Sequence, residues 1–176
     1  HRDRLDSLQR CFINLSGQSI GQDKFRLFVL RLLRRNHLPA EKICFEITET
    51  AAIASYAQAN RFIQSLKELG CKFALDDFGS GYSSLAYFKN IPANELKIDK
   101  SFITNMLENP ANLHIVSSII NMAQGFELKV VAEGVETREQ LDRVRSWGAA
   151  ECQGFLFSAA ISGTDFAKRF RKTRNI

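Results

Sequence analysis

Residues 72–84 read KFALDDFGSGYSS, and this stretch decides the fold. Lys72–Leu75 is a short apolar run with the length and composition of a strand. It stops at two adjacent carboxylates, Asp76 and Asp77, and a loop with two glycines and three serines follows. A carboxylate at the end of an apolar strand is costly unless it is paired, hydrogen-bonded or bound to a cation. The glycines allow close approach to a phosphate, but no Gly-Lys-Ser/Thr follows, so this is not a Walker A loop.

The same arrangement recurs outward in both directions. Cys11–Leu15 carries Asn14, and Ile43–Thr48 carries Glu46 with Glu49 just beyond. Glu95–Ile98 holds Lys97 with Asp99 next to it, Lys129–Ala132 runs into Glu133 and Glu136, and Gln153–Phe157 opens on Gln153. Helical spacing fills the gaps: Phe25, Phe28, Val29 and Leu32; Ala59, Phe62, Ile63 and Leu66; Val116, Ile119, Ile120 and Ala123. Ser55 with Gln58, and Thr137 with Gln140, have capping-box spacing, and Gly70, Gly125 and Gly148 stand where a glycine ends a helix. Strands spaced roughly 20–35 residues apart are the pitch of βα units. An open doubly wound sheet has the same alternation. The polar residues favour a TIM-like (β/α) barrel, with about six of its eight strands present, because that fold gathers strand ends at one mouth. Taken singly, each acid is explained by a helix cap or a surface ion pair. As a set that tracks strand ends, they are not.

Composition is that of an ordinary globular chain: 176 residues, 45% hydrophobic, 24% charged, with 14 Phe. This length suits a single domain over 1–176, and no low-complexity linker divides it. The apolar content excludes disorder as the main state. The longest apolar runs fall far short of the roughly 20 residues of a membrane span, and His1, Arg2, Asp3 and Arg4 lead into no apolar h-region, so a secretory signal is not expected here. The chain does not begin with Met and is expected to be a piece of a longer protein. The net charge of +5 hints weakly at an anionic partner. Its basic clusters, Arg31, Arg34 and Arg35, then Lys168, Arg169, Arg171, Lys172 and Arg174, read as solvated surface, and no DNA-reading motif accompanies them. Cys11, Cys44, Cys71 and Cys152 are scattered in or beside apolar runs, as buried free thiols of a cytoplasmic protein would be. With His1, His37 and His114 equally scattered, a zinc site is not expected.

Oxygen ligands from Asp, Glu and Asn suit Mg²⁺ or Mn²⁺. Adjacent Asp76 and Asp77 suit two ions about 3.5–4 Å apart, which clamp a phosphodiester and activate water, with Lys97 near the developing negative charge.

The strings INLS (13–16), EITET (46–50), DDFGSGYSSL (76–85), LKIDKSFI (96–103), VVAEGVET (130–137) and QGFLF (153–157) strongly resemble the EAL-domain cyclic-di-GMP phosphodiesterases, in order and spacing along essentially the whole chain. The resemblance implies a TIM-like barrel that hydrolyses cyclic di-GMP to linear pGpG with Mg²⁺ or Mn²⁺. It implies metal ligation by Asn14, Glu46, Asp76, Asp77 and Glu133. Lys97 would orient or activate the attacking water, with Glu133 and Gln153 also on the catalytic side. Glu49 would anchor the DDFGSGYSS loop, which together with the following helix is associated with homodimerisation. Ser16, Gln18, Gly79, Gly134 and Phe155 would lie near the substrate. The parent chain is expected to carry other sensor or GGDEF domains and is compatible with a membrane tether.

Two departures from the family pattern bear on this reading. No Glu-Ala-Leu occurs in the chain, so it is expected to be the C-terminal portion of an EAL domain. That portion lacks the first strands and one metal-ligating Glu, leaves two sheet edges unpaired, and should turn over little by itself. Phe155, Ala159 and Ala160 also replace the family's usual Tyr and basic-Pro residues. The competing expectation is a degenerate domain that binds cyclic di-GMP without cleaving it, or serves as a dimerisation module.

Overall fold

The computed structural model describes residues 8–54, 56–79 and 90–172. Among the described residues six parallel strands form one sheet: β1 Cys11–Leu15, β2 Ile43–Thr48, β3 Lys72–Phe78, β4 Glu95–Ile98, β5 Lys129–Ala132 and β6 Glu151–Cys152. Their spatial order is their chain order. A doubly wound sheet would reverse order at a switch point, so sequential pairing decides for the rolled, TIM-like half-barrel.

The α-helices among the described residues are α1 Gly17–Ile20, α2 Asp23–Arg35, α3 Glu49–Ala54, α4 Tyr56–Lys67, α5 Lys100–Thr104, α6 Pro110–Gly125, α7 Arg138–Ser146 and α8 Gly163–Lys172. Helix α4 buries Ala59, Phe62, Ile63 and Leu66, and α6 buries Val116, Ile119, Ile120 and Ala123, the stripes read from their spacing. Between α4 and the sheet, Phe62 meets Phe45 and Phe73 edge-on, at centroid separations of 6.2 and 6.3 Å. Such pairs add about 0.5–1.5 kcal/mol each beyond area burial.

Helix α2 departs from its expected stripe. It buries Val29 and Leu33, while Phe28 is 57% exposed and Leu32 43%. Leu27, Phe28, Val29, Leu30, Leu32 and Leu33 put apolar groups on most of its faces, so periodicity alone did not select the one that packs.

Other local expectations divide in the same way. The Thr137–Gln140 capping box is present with both of its bonds. Ser55 of the other box lies outside the described residues. Gly70 and Gly148 end their helices at φ of 99° and 98°. Gly125 instead stays helical, and the left-handed position falls on Glu127 at φ 58°. Cys44 and Cys71 are buried, and desolvation pushes their thiols up to about 12 and 11, which leaves them unreactive. Cys152 is half-buried, whereas Cys11, expected inside, is exposed on edge strand β1. The expected strand Gln153–Phe157 is replaced by the shorter β6, two residues upstream. Gln153 still donates its N–H to Ala132 at 2.9 Å, but the chain turns at Gly154, whose α-carbon faces the Val135 backbone so closely that a side chain would collide with it. Among the described residues no helix is long and apolar enough to cross a membrane.

Candidate active site

The carboxyl ends of the strands bring together most of the residues singled out in the sequence. Lys97 on β4 is 4% exposed, and its ammonium lies 2.6 Å from Glu46 Oε1 on β2, 3.0 Å from Asp76 Oδ1 on β3 and 2.5 Å from Glu133 Oε1 just beyond β5. Burial alone would lower the pKa of Lys97. Hydrogen bonds to Glu133, Glu46 and Asp76 outweigh it and hold the ammonium protonated well above the ordinary lysine range. Desolvation raises Glu133, and Lys97 offsets only part of that rise. Gln153 donates from Nε2 to the same Glu133 Oε1 at 2.5 Å, joining the β6 exit to the cluster.

Asp76 and Asp77 are neighbours in a strand, where successive side chains point to opposite faces. The backbone breaks that alternation. Pairing of β3 with β4 shifts register between Leu75 and Phe78, and Asp77 sits at φ 53°, a left-handed conformation that Asp tolerates better than most residues. Phe78 consequently enters the core, and Asp77 turns towards Asp76. Ligand oxygens of Asp76, Asp77 and Glu133 all lie within 4.8 Å of one another. Desolvation, then the charges of Asp76 and Asp99, raise the Asp77 carboxyl. Asp99 itself resists desolvation and is held low by Ser101 and by its hydrogen bond with Asp77. Asp99 also caps α5 through Ser101 N–H at 2.7 Å.

The other predicted residues are more peripheral. Asn14 is in register with Glu46, hence on the same face of the sheet, but it is exposed. Ser16 caps α1, its Oγ accepting from Ser19 N–H at 3.2 Å, and Gln18 is exposed on that helix. Buried Glu49 accepts the Gly79 N–H at 3.2 Å and so pins the start of the DDFGSGYSS loop. The loop beyond Gly79, expected at a dimer interface, lies outside the described residues. Gly134 packs against Lys100, where an added Cβ would come within 2.6 Å of Lys100 Cβ. Phe155 is 73% exposed at the β6 exit. Sequence reading assigned no role to Asp99 as the partner of Asp77. Its place directly after the Lys97 strand was the available signal.

The donor set fits hard divalent cations. It is all oxygen, it converges, and Asp76 Oδ1 is buried with no well-aligned hydrogen bond, its ion-pair partner being the Lys97 ammonium.

Comparison with known families agrees with this geometry. The model of the EAL domain family matches residues 1–160. The chain belongs to the EAL-domain family. Cyclic di-GMP phosphodiesterase PdeF of Escherichia coli K12 is 44% identical to it over 147 residues, which cover 84% of this chain and 20% of PdeF. The EAL domain of Mycobacterium smegmatis DcpA is 34% identical and superposes with a TM-score of 0.87, over 97% of this chain and 78% of that one. Klebsiella pneumoniae BlrP1, solved as a manganese and cyclic di-GMP complex, is 29% identical with a TM-score of 0.80, over 90% of this chain and 41% of that one. This EAL domain spans about a fifth to a quarter of the length of the curated relatives it matches.

Proposed function

We propose that the strand-end cluster of this EAL domain hydrolyses cyclic di-GMP to linear pGpG with Mg²⁺ or Mn²⁺ at a two-ion site. The observation that carries the proposal is the meeting of Glu46 on β2, Asp76 on β3 and Glu133 at the exit of β5 around Lys97. Asn14, Glu46, Asp76, Asp77 and Glu133 would hold the ions. The chemistry that divalent cations supply at such a cluster is polarisation of the phosphodiester and acidification of water.

The chain's own groups do the rest. Lys97, kept protonated by its three carboxylates, would place a positive charge beside the attacking water and the developing negative charge and so orient that water electrostatically. Gln153 fixes the Glu133 carboxylate. Phe155, exposed at the β6 exit, would offer a ring face to a guanine base, and Ser16, Gln18, Gly79 and Gly134 would contribute on the substrate side. Glu49 holds the loop that begins at Gly79. Action in the cytoplasm, homodimerisation through the DDFGSGYSS loop and its following helix, and further sensor or GGDEF domains in the parent chain belong to the same proposal.

The test is chromatography of pGpG released from cyclic di-GMP by the full-length protein in Mn²⁺. Asp76→Asn is expected to lower the rate more than about 100-fold, the upper range for losing support at a metal centre. Cyclic di-GMP bound without pGpG release would favour the receptor reading, motivated by Phe155, Ala159 and Ala160. Neither binding nor release would remove both readings.

A further inference from the structure

Gln140 has a second task beyond capping α7. Its side chain is buried at 4% exposure, and both ends of the amide are used. Oε1 accepts the N–H groups of Glu136 at 2.7 Å and Thr137 at 3.0 Å. Nε2 donates to the carbonyls of Ile103 at 3.3 Å and Thr104 at 3.0 Å. One amide has two donors and two acceptor sites, so this one is saturated. The oxygen side is the ordinary capping box, and the nitrogen side serves no helix of its own.

The two ends of that bridge are informative. Ile103 and Thr104 close α5, the short helix that leaves the Lys97 strand through Asp99. Glu136 and Thr137 belong to the segment that leaves β5 through Glu133. Gly134 already presses on Lys100, so these two exits are in direct contact. On its other side, the same segment carries the β6 exit: Val135 N–H donates to Gln153 O at 3.0 Å, and Gly154 lies against the Val135 backbone. Residues 133–137 are thus held between two neighbours, with Gln140 as the buried bolt to the Lys97 side. Lys97 and Glu133 stand 2.5 Å apart across that joint.

We infer that Gln140 is a positioning residue for the metal site, acting by fixing the Glu133 exit against α5 so that Glu133 stays in register with Glu46, Asp76 and Lys97. This rests on the reading of Glu133 as a metal ligand. Groups that orient ligands from outside the coordination shell change metal affinity by on the order of 10–100-fold.

The decisive variant is Gln140→Glu. A glutamate satisfies the capping box as well as glutamine does, but it places an oxygen against the Ile103 and Thr104 carbonyls. Its added negative charge would, if anything, attract a cation. Mn²⁺ affinity is to be read from the free-ion electron paramagnetic resonance signal in titrations of the full-length protein, with circular dichroism to establish folding. Gln140→Glu and the apolar Gln140→Met are expected to bind Mn²⁺ on the order of 10-fold more weakly. Thr137→Ala, which loses the cap but keeps the bridge, should lower the unfolding temperature and leave Mn²⁺ affinity unchanged. Wild-type affinity in Gln140→Glu, or an equal loss in Thr137→Ala, would overturn the inference. Absence of Mn²⁺ binding by the wild type would instead remove the metal-site reading and take the inference with it.

Discussion

Lys97→Met is expected to destabilise the fold by about 3–5 kcal/mol at neutral pH, the cost of removing one partner from a buried ionic cluster. The ammonium is 2.6, 3.0 and 2.5 Å from three carboxylates, and none of the four side chains is more than 14% exposed. Without it, Glu46, Asp76 and Glu133 face one another with no compensating charge. Glu133, already raised by desolvation and offset only by Lys97, will take up a proton more readily once that ammonium is gone. A carboxylate whose folded pKa lies above its unfolded value contributes stability that is present at low pH and lost as pH rises through the folded value. The deficit of the variant should therefore shrink as pH falls from about 7 towards the ordinary Glu value of about 4.3. The wild-type Lys97 contribution has its own window: it is complete below the ordinary lysine value of 10.5 and lost only as pH rises through its elevated folded value. Urea unfolding of both proteins at several pH values, with and without Mn²⁺, measures this. Mn²⁺ should recover much of the loss by supplying the missing positive charge. A loss below about 1 kcal/mol with no pH dependence would mean that the cluster is a solvated surface pair.

Arg10→Met should cost a similar amount, about 3–5 kcal/mol, for a reason far from the chemistry. Arg10 immediately precedes β1. Its guanidinium bonds Glu95 at the start of β4 and lies 3.7 Å from Glu151 at the start of β6. Glu95 is completely buried, its Oε2 has no hydrogen-bond partner, and desolvation raises its carboxyl despite the nearby guanidinium. Removing Arg10 leaves that charge uncompensated at the amino end of the strands. The double variant Arg10→Met/Glu95→Leu removes the charge as well and should recover most of the loss, since apolar replacements of buried ion pairs are often neutral or stabilising. Urea midpoints of the single and double variants decide it. A double variant no more stable than the single one would show that Arg10 contributes through packing rather than charge.

Much of this was legible from residue order. Apolar runs ending in acids located the strands to within a few residues, and the acids themselves marked the rim where Lys97, Glu46, Asp76 and Glu133 meet. Three kinds of feature were not legible. The pairing of Asp76 with Asp77 was legible from their adjacency, but the backbone that permits it, a register shift and a left-handed φ at Asp77, runs against strand alternation and left no signal. The packed face of α2 was hidden by its surplus of apolar residues, and β6 by a run, QGFLF, whose Phe155 and Phe157 face outward. The third kind is partnership across the chain: Arg10 with Glu95, 85 positions apart, and Gln140 with Ile103, 37 apart, are set by the tertiary packing of the rolled sheet and leave no local pattern.

The most direct measurement is Mn²⁺ affinity in wild type, Glu46→Gln and Asp76→Asn, variants on two different strands. If both carboxylates serve one cation centre, each single change should weaken binding by at least about 10-fold. Unchanged affinity in either variant would contradict a shared site at the strand ends.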